Sequence, residues 1–149
     1  MARSTAERTI IGLAIFGLIL ALYSVSLHYS PDGSSLCNIS ETFNCDKVNK
    51  SPWSVFLGVP VAIWGTIVYL IVFALAYRRK SIQSTLGFTN RDWWGYFLLL
   101  TTVMVLFQGY LTLAEVLWIK AYCIACVGSQ IVTLSLVIVV FQQWCKAKR

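Results

Sequence analysis

The chain has 149 residues, 58% of them hydrophobic and 12% charged, with a mean hydropathy of +0.71 and a formal net charge of +6. Soluble domains carry about a quarter charged residues, so this composition excludes an ordinary water-soluble globule, and the length suggests one domain, 1–149. The basic excess is no nucleic-acid face, because Lys and Arg cluster at the ends of apolar blocks.

Four stretches free of Asp, Glu, Lys and Arg are long enough to cross a bilayer core, which takes roughly 20 residues of helix. They are 9–27, 54–77, 93–114 and 121–143. Backbone polar groups in lipid must be satisfied within the segment. The predicted fold class is therefore an all-α membrane protein, a four-transmembrane-helix bundle with an external loop between helices 1 and 2. The first stretch follows Arg3 and Arg8 and ends near Ser24-Val25-Ser26, as a cleavable signal would. Its uncharged run exceeds the signal core of about 7–15 residues, which predicts a retained helix.

Residues 28–53 open with His28 and the turn formers Pro31, Asp32, Gly33, Ser34 and Ser35. This segment carries Cys37 and Cys45, admits a short surface helix after Ile39, and re-enters the membrane at Ser51-Pro52-Trp53. The second helix, 54–77, leads to a polar, basic loop, 78–92, that ends at the interfacial pair Trp93-Trp94. The third helix, 93–114, is joined to the fourth, 121–143, by a short link, so the two form an antiparallel hairpin. Arg3, Arg8, Arg78, Arg79, Lys80, Arg91, Lys146, Lys148 and Arg149 fall on one side of this topology. Only Lys47, Lys50 and Lys120 fall on the other. The positive-inside bias puts both termini in the cytoplasm and both cysteine pairs outside.

Cys123-Ile124-Ala125-Cys126 stands at the start of the fourth helix. Residues three apart share a helix face, and free N–H groups at a helix start stabilise thiolate. Cys37 and Cys45 close a short loop at little entropic cost, and a loop leaves both sulfurs mobile. Thiol–disulfide exchange proceeds through mixed disulfides, so two dithiols at one membrane face suit an electron relay. Either pair alone also reads as a permanent staple. Four external cysteines invite a zinc reading, but no His or acid cluster stands at ligand spacing beside them. Cys145 is cytoplasmic and is given no catalytic role.

Taken in order, Cys37-x7-Cys45, Ser51-Pro52-Trp53, Leu57-Gly58-Val59-Pro60 and Cys123-x2-Cys126 resemble the vitamin K epoxide reductase family, in its bacterial and archaeal single-domain type. The resemblance covers roughly 22–141. It implies a quinone held beside the CxxC, with Cys126 facing the quinone and Cys123 as its resolving partner. It further implies that Cys45 exchanges with Cys123, that Cys37 meets an external thiol protein, and that Ser51 lies near the ring. Phe56, Trp64, Phe107 and Tyr110 are candidate walls of a quinone pocket, although each also reads as packing. Gln108 is a candidate for a quinone carbonyl or for a helix–helix hydrogen bond. Glu115 is either solvated or concerned with protons, and His28 is interfacial.

Animal members of the family carry a tyrosine four residues after the second cysteine of the CxxC. Gln130 occupies that place here, which points away from vitamin K epoxide as the natural substrate.

The expected function is that of a membrane thiol-disulfide:quinone oxidoreductase. It would reoxidise a thioredoxin-fold (DsbA-like) partner and pass the electrons to ubiquinone, menaquinone or vitamin K, with no metal. The expected place is a bacterial plasma membrane, or the endoplasmic reticulum membrane if the source is eukaryotic. The alternatives are a vitamin K epoxide or quinone reductase of the endoplasmic reticulum type, and a non-enzymatic membrane protein with structural disulfides. The DsbB type of quinone-linked enzyme carries its CxxC in the first external loop, opposite to the order here.

Overall fold

The computed structural model describes residues 4–33 and 35–147; Arg3, Ser34, Lys148 and Arg149, read above for charge and turns, lie outside it. Most described residues are helical. Helix α1 (Thr5–Tyr29) starts earlier than its uncharged run because Ser4 and Glu7 form a capping box. The Ser4 hydroxyl accepts the Glu7 N–H at 3.2 Å, and the Glu7 carboxylate accepts the Ser4 N–H at 3.1 Å. Two of the donors left open at a helix start are thereby satisfied. A second capping box, Thr89 with Asp92, starts α5 (Asn90–Ala114).

The external segment includes a short helix, α2 (Cys45–Asn49), capped by Asn44. The second apolar stretch begins at 54, but its helix α3 (Val61–Tyr77) begins only at Val61. A 3₁₀ turn (Pro52–Ser54) and a hairpin of β1 (Val55–Phe56) and β2 (Val59–Pro60) come first. Leu57 and Gly58 turn that hairpin with φ of 54° and 77°. Tight two-residue hairpins require positive φ at both central positions, a constraint that an absence of charge does not reveal. The expected basic loop 78–92 also differs, since it contains α4 (Arg79–Leu86), bent 78° from α3 and closed by left-handed Gly87. Ile82 and Leu86, one turn apart, face a small apolar hollow with Leu75, Phe88 and Trp93, which keeps this polar segment helical.

Among the described residues, three helices are long and apolar enough to cross a membrane: Thr5–Tyr29, Asn90–Ile119 and Ile124–Ala147. The number rises to four if the bent pair α3 and α4 counts as one span. Ile15, Phe16, Ile19, Leu99, Leu106, Ile131 and Ile138 point outward. Such a coat is costly in water and matched by lipid, and the chain is a multi-pass membrane protein.

Helix α1 packs on α3 and on α6 (Ile124–Ala147), and α5 packs on α6. Between α1 and α3 the approach is close: a Cβ on Gly17 would stand 2.3 Å from the Tyr69 ring. Tyr69 is buried, and its hydroxyl meets Ser129 Oγ at 2.8 Å and Thr133 Oγ1 at 2.9 Å on α6. At the end away from the CxxC, Arg79 binds Glu7 at 2.7 Å and lies 4.5 Å over the Trp94 ring. Arg79 also meets Asn90. Close α3–α5 approaches are few among the described residues, and a gap separates these two helices.

Candidate active site

Cysteine chemistry and the α3–α5 gap meet at one end of the bundle. Cys37 and Cys45 form a disulfide with Cα atoms 5.7 Å apart, whereas Cys123 and Cys126 are free thiols. Cys45 and Cys123 are both fully buried, in one apolar cluster with Leu27, Val48 and Ala121. Cys37 is half-buried. The segment carrying the outer pair is tied to the start of α6 by backbone bonds: Asn44 N–H donates to the Tyr122 carbonyl at 3.2 Å, and Tyr122 N–H to the Thr42 carbonyl at 2.7 Å. A mobile external loop was expected. Instead, pairing across Phe43 and Tyr122 and the burial of Cys45 in α2 hold half of it in place.

Asp46 organises the other half. Its carboxylate accepts from Gly33 N–H at 2.8 Å and from Asn38 Nδ2 at 2.7 Å. Asn49, buried on α2, donates from Nδ2 to the Cys45 carbonyl at 2.9 Å and to Cys123 Sγ at 3.4 Å. Cys126 N–H donates to the same sulfur at 3.3 Å. Hydrogen bonding from Cys126 holds the Cys123 thiol below its ordinary range, against the opposing effect of burial. Cys123 is thereby the more readily ionised sulfur and faces the buried member of the outer pair.

The gap between α3 and α5 opens into a cavity of ≈ 330 Å³ lined by residues of α1, α2, α3, α5 and α6. Ser51, Phe56, Trp64, Phe107 and Cys126 all line it; Tyr110 does not. Tyr110 instead packs edge-on against Trp53 at 6.5 Å, and Trp53 stacks on Trp118 at 4.8 Å. Phe56 bridges the gap to Phe107 at 5.7 Å, and Trp64 Nε1 donates to the Phe56 carbonyl at 3.2 Å, fixing the hairpin over α3. Ser51 Oγ donates to the Val48 carbonyl at 2.8 Å, so its lone pairs are what it offers the cavity.

Polar groups in this wall are few. Gln108 Nε2 donates to Ser129 Oγ at 3.0 Å, while Gln108 Oε1 and Gln130 Oε1 are buried without a partner. An apolar chamber with aromatic walls and isolated acceptors suits a flat ring bearing polar oxygens. No group of three or more His, Cys, Asp or Glu able to hold a metal occurs among the described residues.

A family model described as the vitamin K epoxide reductase family matches residues 8–141. The chain belongs to the vitamin K epoxide reductase family. Vitamin K epoxide reductase complex subunit 1 of Rattus norvegicus is similar to it, 27% identical over 143 residues that cover 89% of this chain and 87% of the rat protein. Family membership makes the chain a membrane oxidoreductase.

Within that family frame, one site residue, Asn49, is not singled out from sequence, and two others, His28 and Glu115, sit differently from their sequence readings. Asn49 reads as an ordinary loop amide, and nothing in its neighbours announces a contact with a sulfur 74 residues away. His28 is more than an interfacial residue, since it lines the cavity and its Nδ1 lies 2.6 Å from the Asn49 carbonyl. Glu115 proves buried rather than solvated. Its position seven residues after Gln108, on the same helical face, is the sequence signal for that burial.

Proposed function

We propose that this protein is a thiol-disulfide:quinone oxidoreductase of a bacterial plasma membrane. It would have four spans, both termini in the cytoplasm, and its cysteines on the outer face. Electrons enter at Cys37 from a reduced thioredoxin-fold, DsbA-like protein. They pass through Cys45 to Cys123 and leave from Cys126 to a quinone in the α3–α5 cavity. The observation that carries this reading is the placing of Cys126 in the wall of that cavity, with Cys123 behind it and the buried Cys45 packed in the same cluster.

Each transfer is an exchange of one disulfide for another until the last, where the quinone takes two electrons and two protons. Ser51, Phe56, Trp64 and Phe107 would surround the ring, with Tyr110 supporting Trp53 at the rim. Gln108 Oε1 and Gln130 Oε1 would accept from the hydroxyls of the reduced product. The similarity to the rat protein makes vitamin K epoxide the second substrate to try.

The test is quinone reduction by purified protein in detergent, driven by a reduced thioredoxin-fold protein or by dithiothreitol. Cys126→Ala should abolish turnover with both donors. Cys37→Ala should abolish it with the protein donor only, and Cys145→Ala should change neither. Absence of turnover by the unmodified chain with ubiquinone, menaquinone and vitamin K epoxide would remove the enzymatic reading and leave structural disulfides.

A further inference from the structure

Glu115 is 4% exposed and opens the π turn Glu115–Ile119 that ends the third span. Single π turns are frequent at functional sites. Its carboxylate accepts the Cys123 N–H at 3.3 Å, lies beside the Cys126 thiol, and lines the cavity together with Cys126. The ion pairs among the described residues are Lys50 with Asp32 and Arg79 with Glu7, so Glu115 has no cation. An acid placed in a largely apolar wall with no counter-charge is an expensive way to hold one backbone N–H, which an amide would hold as well.

We propose that Glu115 is the proton-transfer residue of quinone reduction, taking the proton of the Cys126 thiol and delivering it to the quinone. This rests on the thiol-to-quinone reading above. Thiolate, not thiol, is the nucleophile, and two negative charges side by side in a poorly solvated cavity repel. The carboxyl group and the Cys126 sulfur are therefore not ionised together, and a proton lost by one is held by the other.

The Cys126 proton moves to the Glu115 carboxylate, and the thiolate gives its electron pair to a ring carbon, forming a C–S bond. The quinone oxygen takes the proton from Glu115, restoring the carboxylate. The Cys123 thiol passes its proton to Glu115 and attacks Cys126 Sγ; the S–S bond forms and the C–S bond breaks with its electron pair left on the ring. That second proton goes to the other ring oxygen. Two thiols have lost two electrons and two protons, and the quinone has become hydroquinone.

Reduced protein is mixed with a short-chain ubiquinone, and a single turnover is followed across pH for wild type, Glu115→Gln and Glu115→Asp. The other titratable groups facing the cavity are Cys126 at the α6 entry, His28 from α1 and Tyr69 from α3, with Cys123 buried behind Cys126, all unchanged in these variants. Glu115→Gln keeps the shape and an acceptor for the Cys123 N–H. It should slow quinone reduction about 100- to 10,000-fold near neutral pH and make the rate climb about tenfold per pH unit. Its Cys37–Cys45 disulfide should still be reduced by dithiothreitol at the wild-type rate. Glu115→Asp should restore the wild-type pH profile.

A wild-type rate and profile in Glu115→Gln, with wild type active, would overturn the proposal alone. Equal losses in Gln and Asp with unchanged pH profiles would also overturn it, in favour of a structural role. Wild type inactive toward every quinone would overturn the functional reading itself and the proposal with it. Should Glu115→Gln not fold, the infrared redox difference spectrum of wild type decides. A carboxyl protonation band appearing during turnover supports the proposal, and its absence overturns it.

Discussion

Cys123 draws its reactivity from neighbours that differ in kind. The Cys126 thiol and backbone N–H supply the dominant hydrogen bonding, and the Asn49 amide adds to it from another helix. Because its thiol is held below the ordinary range, a thiolate fraction persists as pH falls through about 8.5, where a free cysteine loses its own. The ultraviolet thiolate absorbance of the reduced protein that is lost in Cys123→Ser should therefore reach half its limit at a lower pH than for free cysteine. Asn49→Leu removes one donor to the sulfur. Hydrogen bonds to charged groups contribute about 1.5 kcal/mol or more, so donor-driven turnover in Asn49→Leu should fall about tenfold. Stopped-flow measurement of reduction of the inner pair would check this. Glu115 was visible in the sequence as a candidate for protons, but the contact of Asn49 with Cys123 and the place of His28 at the cavity were illegible for one physical reason: each depends on a partner from a different part of the chain, which spacing does not encode.

Elements were more legible, and the misses are specific. Charge-free length found the apolar cores of α1, α3, α5 and α6, because the lipid requirement acts on composition. It did not find the start of α3, where positive φ at Leu57 and Gly58 and the missing N–H of Pro60 impose a hairpin within an uncharged run. Nor did it find α4, whose short helix rests on an i, i+4 apolar pair inside a basic stretch. Contact between α1 and α3 depends on the absence of a side chain at Gly17, where a Cβ would sit 2.3 Å from the Tyr69 ring. Gly17→Ala should push Tyr69 off Ser129 and Thr133 and lower stability by about 1–3 kcal/mol. Thermal unfolding in detergent would record that loss as a lower Tm.

On the scale of the whole molecule, the two ends of the bundle use different means of cohesion. The redox end is held by backbone pairing and a disulfide. The far end is held by Arg79, which joins α1 through Glu7, stacks on Trp94 of α5 and meets Asn90. Glu7 and Arg79 side chains are only 7% and 16% exposed, so removing one partner strands a buried charge. Arg79→Leu should cost about 3 kcal/mol, and the double variant Glu7→Leu/Arg79→Leu should recover much of it. Unfolding of the three proteins under one detergent condition would test this.

The backbone pairing between residues 42–44 and Tyr122 has a consequence for how charge is kept on its route. It anchors Cys45 and leaves residues 35–41 as the part of the outer segment free of that tether, so a partner need displace only a short arm. Small water-borne thiols meet a half-buried Cys37 at the surface, while Cys45 and Cys123 are sealed from solvent. A protein donor is thus confined to the terminal at Cys37, whereas a small reductant has a second approach from the cavity side, at the half-buried Cys126.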